Sequence, residues 1–290
     1  MSSRPPALFT KIFLDSGNPE DTKEALATLG FLDGQTTNPS LVAKHPALQE
    51  KIAAGQILSS VEVNDFYKQV IQEIAALIPT GSVSIEVYAD KETSAEQMLV
   101  QARAMNNWIP QAHIKFPTTA AGLAAATQAV AEQIRVNMTL VFSVEQAAAV
   151  YAATRGATRG SVFVSPFVGR LDDIGINGMG LIQQCMNLYA TSDHHVEVLV
   201  ASVRNMEHFL YSLALQADII TAPLSLLKEW AAAGMPVPDA SFSYDPKGKE
   251  APSSPVINLT APLTSLTIHH PLTDKGLEKF VADWNSLIGN

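Results

Sequence analysis

An alternation of short apolar stretches with helix-like segments restricts the fold more than any other feature of the chain. Strand candidates are Lys11–Ser16, Phe31–Thr37, Ser82–Ala89, Ala112–Phe116, Val136–Phe142, Ser161–Phe167, His195–Ser202 and Asp218–Thr221. The segments between them carry helical spacing. Pro19–Leu29 opens with proline in its first turn and stops at Gly30, and Asp65–Leu77 carries Phe66, Val70, Ile74 and Leu77 on one face. Further helices are expected at Ser94–Asn106, Ala120–Arg135, Val144–Thr154, Gly178–Thr191, Asn205–Leu215 and Leu224–Ala233. Eight β-then-α units predict an α/β fold, a (β/α)8 TIM barrel. A doubly wound open sheet is the rival, but no Gly-x-Gly-x-x-Gly follows the first strand.

The texture changes at Met235. Six of the 17 prolines fall between Met235 and Thr264, which predicts a long surface excursion. A last helix then resumes at about 272–287, with Thr273 as its expected cap and Leu277, Phe280, Val281 and Trp284 as its apolar stripe. Residues 1–290 read as a single barrel domain: barrel about 11–234, Pro-rich loop 235–264, then the helix. That helix must pack on its own barrel or on a neighbour.

Composition bounds the function. With 47% hydrophobic and 16% charged residues, the chain can bury one large core. A net charge of −9 argues against a non-specific nucleic-acid surface, so an anionic substrate needs local arginines. The single cysteine, Cys185, forms no internal disulfide and suits a reducing cytosol. The stretch MSSRPPALFTKIF has no apolar signal-type region, and no run reaches the ~18 apolar residues of a membrane span. A cytoplasmic protein that uses no membrane is expected.

The segment AHIKFPTTAAGL, Ala112 to Leu123, places a lysine at a strand end. His113, Lys115 and Pro117 share one face, Pro117 ends the strand, and Thr118-Thr119 can cap the alanine-rich helix that follows. Lysine is seldom buried without a partner or a task. Lys115 either reaches water or acts as a neutral amine that forms a Schiff base with a ketone. In a barrel of this kind the C-terminal strand ends carry the chemistry. Those ends are Asp15, Thr36-Thr37-Asn38, Glu86, Lys115, Asn137 with Thr139, Ser165 with Phe167 then Arg170, and Ser202 with Arg204. Asn137/Thr139, Ser165/Phe167 and Ser202/Arg204 each differ by two, the parity of one strand face. Alternatives stay open for some of them. Asp15 can start a turn before Gly17, Asn38 can cap a helix before Pro39, and Arg170 can pair with Asp172 or Asp173.

DSGNPEDTKEA, TTNPSL, SIEV, IKFPTTAAGLAA, NMTLVFSVEQA, SPFVGRLDDI, LVASVRN and HPLTDKGLEKF together resemble the motifs of transaldolases, in the same order and on the same elements. The likeness spans residues 11–234 and the final helix, and is strongest to the short transaldolases; fructose-6-phosphate aldolases share TTNPS and the lysine strand. The resemblance implies a class I aldolase-type barrel that moves a dihydroxyacetone unit between sugar phosphates in the pentose phosphate pathway, as a homo-oligomer. By it, Lys115 is the Schiff-base nucleophile, and an apolar wall with Arg170 and Arg204 nearby would favour its neutral form. Asp15 is the general acid/base, and Glu86 with Thr139 holds a proton-shuttling water. Asn38, Asn137, Ser165 and Phe167 line the substrate, while Arg170, Ser202 and Arg204 take its phosphate. The aldolase branch tends to carry Gln for Glu86 and Tyr for Phe167, so this chain has the transferase choice at both. A barrel that only binds sugar phosphate is a third reading, and it predicts loss of Lys115 or Asp15.

Other clusters look bland. His194-His195 and His269-His270 are adjacent pairs that point apart, and Asp172-Asp173 reads as a capping or loop feature. No Cys/His cluster or phosphate-cradling glycine loop appears, so no metal and no cofactor is expected.

Overall fold

The computed structural model describes residues 4–288. Its strands are β1 (Lys11–Asp15), β2 (Gly34–Thr36), β3 (Ser82–Glu86), β4 (Ala112–Pro117), β5 (Val136–Val141), β6 (Val162–Pro166), β7 (Val196–Val200) and β8 (Ile219–Ala222). They run parallel in sequence order, and β8 pairs with β1 to close the barrel. The expected (β/α)8 architecture is therefore present. An outer layer follows: α1 (Pro19–Leu29), α2 (Pro39–Ala43), α3 (Pro46–Ala53), α4 (Ser60–Leu77), α5 (Ala95–Asn106) and α6 (Ala120–Ala131). It continues with α7 (Val144–Ala153), α8 (Val168–Asp172), α9 (Gly178–Tyr189), α10 (Met206–Ala214), α11 (Leu224–Ala232) and α12 (Pro271–Asn285). Among the described residues no helix is long and apolar enough to cross a membrane.

Local chemistry sets the boundaries. The Asn18 side chain caps α1, Pro19 fills its first position, and Gly30 ends it at φ 80°. α4 begins before the apolar stripe does, because Ser59 and Glu62 form a reciprocal capping box. α6 stops at Ala131 rather than Arg135, where Gln133 turns the chain at φ 62°. Of the short helices, the sequence offers α2 only through the possible Asn38 cap and gives no sign of α3 or α8. At five residues, α2 and α8 are too short to show a period.

Every residue of β4, β5 and β6 is buried, as expected of strands covered on both sides. Alternate residues fill the interior. Phe163 meets Phe13 edge-on at 6.0 Å and stacks on His113 at 4.0 Å. A Cβ on Gly34 would lie 2.5 Å from the Phe13 ring, so glycine makes room for that aromatic layer. Burial holds the His113 pKa down to about 3, and its nitrogens are satisfied by Ser82 and the Gly160 carbonyl. It is a neutral core histidine. Two residues further along β4 stands Lys115.

The Pro-rich stretch is a strap that crosses the outer helices. Glu250 exchanges backbone hydrogen bonds with Gly175 and Asn177 at 2.8 and 2.7 Å, Tyr244 stacks on Tyr211, and Arg155 donates to the Leu259 carbonyl at 2.6 Å. It delivers α12 to the C-terminal mouth of the chain's own barrel. The β5–β6 register shifts between Met138 and Val141, with Leu140 at φ 60°. Thr273 of α12 donates to the Leu140 carbonyl at 2.9 Å and accepts from Gln146 at 2.9 Å. Thr273 is thus not the cap. The His270 ring accepts from the Leu272 N–H instead, which leaves the threonine hydroxyl free to dock the helix.

Candidate active site

The strand-end residues surround a cavity of about 230 Å³ at the mouth, between the barrel and α12. Asp15, Asn38, Lys115, Thr139, Ser165, Phe167, Arg170, Ser202 and Arg204 line it, as do Thr36, Ser40, Lys44, Thr221, Lys279 and Phe280. A larger apolar cleft of about 570 Å³ lies between α4, α5 and the end of α12, and its one carboxylate is Glu86, reached from behind.

Lys115 is buried. Its Nζ donates to the Thr37 carbonyl at 2.9 Å and lies 2.7 Å from Glu86 Oε2, an ion pair without the alignment of a hydrogen bond. The expected apolar wall beside the amine is therefore a carbonyl and a carboxylate. Strand register accounts for this, since Glu86 and Lys115 are direct partners on β3 and β4. Burial raises the Glu86 pKa, opposed by Lys115 and then by Arg170.

Asp15 ends β1. It is partly open to the cavity but lies deep in the mouth, and burial raises its pKa against a lowering hydrogen bond from Thr36 and the charge of Lys115. Thr36 Oγ1 donates to Asp15 Oδ1 at 2.7 Å and lies 2.6 Å from Thr221 Oγ1, so Thr221 must be the donor in that second contact. The turn reading of Asp15 fails: Ser16 and Asn18 pair with Asp21 and shape that turn. The buried Thr139 hydroxyl has no hydrogen-bond partner among the described residues.

Asn137 is placed differently from the expectation. It is fully buried, its Nδ2 donates to Ser84 at 3.1 Å, and its Oδ1 accepts from Ser165 at 2.6 Å. It orients Ser165 instead of facing the cavity. Asn38 caps α2, with Oδ1 accepting from the Leu41 N–H at 3.0 Å, yet it also lines the cavity. The capping role therefore leaves Asn38 at the cavity wall.

The two arginines differ. Arg170 lies between the rings of Phe167 and Phe280, at 5.3 and 5.4 Å from their centres, and makes no ion pair among the described residues. Burial lowers its pKa while Glu86 raises it. Arg204 makes the carboxylate pairing considered for Arg170: its two terminal nitrogens grip Asp173, the second at 2.7 Å. Strand parity does not place Phe167, Ser202 or Arg204, because β6 ends at Pro166 and β7 at Val200. Ser202 adopts φ 57°, and its carbonyl accepts from the Gly169 N–H at 3.0 Å. A Cβ on Gly169 would lie 2.5 Å from that carbonyl, so glycine permits the first turn of α8 to meet the segment after β7.

Sequence reasoning missed Lys44, Lys279, Thr221 and Phe280. Thr221 shares the parity signal of the other strand ends, whereas Lys279 and Phe280 sit on a helix whose docking place no local pattern reveals. Among the described residues no group of three or more His, Cys, Asp or Glu is placed to hold a metal ion. The arrangement sets one amine against the Glu86 carboxylate in a cavity that Asp15 also lines, with Arg170 at the rim free of any ion pair among the described residues. Such a site can bind an anionic carbonyl compound and form an imine with it.

Residues 12–290 match the transaldolase/fructose-6-phosphate aldolase family. A probable transaldolase of Dehalococcoides mccartyi is 35% identical, over 96% of this chain and 99% of that protein. Those of Syntrophobacter fumaroxidans and Methanococcus maripaludis are each 37% identical, over 96% and 95% of this chain and 97% and 98% of theirs. The chain belongs to the transaldolase/fructose-6-phosphate aldolase family.

Proposed function

We propose that the protein is a transaldolase. It would move a dihydroxyacetone unit from a ketose phosphate, such as sedoheptulose 7-phosphate or fructose 6-phosphate, to glyceraldehyde 3-phosphate or erythrose 4-phosphate. One observation carries the reading: a buried strand-end amine 2.7 Å from Glu86, in a cavity that Asp15 also lines. Glu86, whose pKa burial raises, can take the ammonium proton and leave Lys115 neutral. The amine adds to the C2 ketone, and loss of water from the carbinolamine gives an iminium. A water held between Glu86 and the unpartnered Thr139 hydroxyl carries those protons. Asp15 takes the C4 hydroxyl proton, the C3–C4 bond breaks, and its electrons enter the iminium to form an enamine. An aldose phosphate leaves. The enamine carbon then attacks the acceptor aldehyde, Asp15 returns the proton to the new hydroxyl, and hydrolysis frees the product and the amine. Asn38 and Ser165 contact the hydroxyls of the three-carbon unit, and Arg170, Ser202 and Arg204 hold the phosphate. The phenylalanine at Phe167 and the carboxylate at Glu86 favour transfer over a fructose-6-phosphate aldolase, which releases dihydroxyacetone.

Borohydride with fructose 6-phosphate should trap a three-carbon adduct on Lys115, and turnover should require erythrose 4-phosphate. Lys115→Met should abolish both and leave the fold intact. An adduct on another lysine, or equal turnover without acceptor, would refute the reading.

A further inference from the structure

Tyr67 stands on α4, outside the barrel wall, yet its side chain is fully buried and its hydroxyl enters the strand ends. The phenol oxygen accepts from the Glu86 N–H at 3.0 Å and lies 2.6 Å from Thr37 Oγ1. Thr37 Oγ1 donates its only proton to the Ser84 carbonyl at 2.8 Å. The phenol is therefore the donor to Thr37. Both residues that flank this chain of hydrogen bonds also hold the amine: Thr37 through its carbonyl at 2.9 Å, and Glu86 through Oε2 at 2.7 Å.

We propose that Tyr67 is a positioning residue for the Lys115 amine, fixing the two backbone segments between which Nζ is held. This rests on the Schiff-base reading above. The phenol is itself clamped, with Trp108 edge-on at 5.7 Å and Trp284 of α12 at 5.9 Å. Burial raises its pKa, so the phenol stays a donor at any pH at which the enzyme works. Without the hydroxyl, the buried Glu86 N–H loses its acceptor, and Thr37 keeps its bonds to the Ser84 carbonyl but loses the phenol that links it to Glu86. The amine would then sample positions unsuited to attack. The loss would appear in the chemical step and not in substrate affinity.

The test is Tyr67→Phe in the full chain. The variant should keep KM for fructose 6-phosphate within about twofold, while kcat and the rate of borohydride trapping both fall about 10- to 100-fold, the scale of a misplaced reacting group. Thr37→Val, which removes the acceptor of the same proton, should give the same split between kcat and KM. The double variant should be no worse than the worse single variant, because both cut one chain of hydrogen bonds. If Tyr67→Phe does not fold, Thr37→Val decides. A folded variant with kcat within about twofold of the parent, whatever its melting temperature, overturns the positioning role alone. Absence of any adduct in the parent protein overturns the Schiff-base reading, and the positioning role with it.

Discussion

At the level of single residues, the strand ends separate what a sequence can show from what it cannot. Asp15, Glu86 and Lys115 are legible because a charged group seldom ends an apolar strand without a partner or a task. The partner of Arg204 is not, since Asp173 lies 31 positions away across two loops. That pairing predicts an order of effects. Arg170 makes no ion pair among the described residues, so Arg170→Ala should weaken phosphorylated substrates by about 10- to 150-fold, one charge-assisted contact. Arg204→Ala should cost less, because Arg204 must share its guanidinium with Asp173. Unphosphorylated dihydroxyacetone donors should be nearly unaffected by either. Steady-state KM values with both substrate types check this, and equal losses on both would mark Arg170 as structural. Asp15 supports a second prediction. Its folded pKa is raised, so the folded state holds this proton more tightly than the unfolded chain, and the group's contribution to stability falls as pH rises above 3.8. Asp15→Asn should therefore raise the melting temperature at neutral pH while abolishing activity. The gain should shrink as pH falls and vanish below 3.8, where the parent carboxyl is protonated in both states. A melting gain that is the same at both pH values would show that burial of charge is not its source.

At the level of elements, the helices and strands follow from period and capping, but their docking does not. Nothing in the stripe of α12 announces that Thr273 will serve the carbonyl freed by the β5 irregularity at Leu140. Two glycines show how the neighbour decides the cost of a side chain. A Cβ on Gly122 would lie 1.9 Å from the Pro117 carbonyl oxygen, which is backbone and cannot yield, so Gly122→Ala should sharply destabilise the fold. A Cβ on Gly276 would lie 2.5 Å from a Leu140 methyl and 2.7 Å from Arg170 Nη1, both ends of flexible side chains. Alanine there also gains helix propensity of about 1 kcal/mol. Gly276→Ala should therefore leave the melting temperature within a few degrees of the parent. It should raise KM for ketose phosphates by displacing Arg170. Thermal melts paired with kinetics distinguish the two cases, and an unfolded Gly276→Ala protein would show that α12 cannot adjust at the mouth.

For the molecule as a whole, the transaldolase proposed above raises the question of what would let a three-carbon enamine wait for an aldehyde. The sequence leaves open whether the final helix covers its own barrel or another, because an amphipathic stripe records only that one face is buried. In the structure α12 lies over its own mouth, and Phe280 joins Phe167 in sandwiching Arg170 beside the amine's cavity. On the proposed mechanism the two rings would keep water from the enamine and offer it no proton. Either of two changes should then shift the outcome from transfer to release. Phe280→Ala opens the cover, and Phe167→Tyr, alone or with Glu86→Gln, adds a phenol that can donate a proton or hold a water near the intermediate. Each should raise turnover of fructose 6-phosphate in the absence of acceptor, measured as free dihydroxyacetone, relative to transfer to erythrose 4-phosphate. Phe280→Ala should also weaken phosphate binding, since Arg170 loses one of its rings, whereas Phe167→Tyr keeps an aromatic face beneath the guanidinium. Release that rises in Phe280→Ala but not in the tyrosine variant would assign the protection to exclusion of water. The reverse pattern would assign it to the missing proton donor. If neither variant gains acceptor-independent cleavage, the aromatic cover is not what commits the intermediate to transfer.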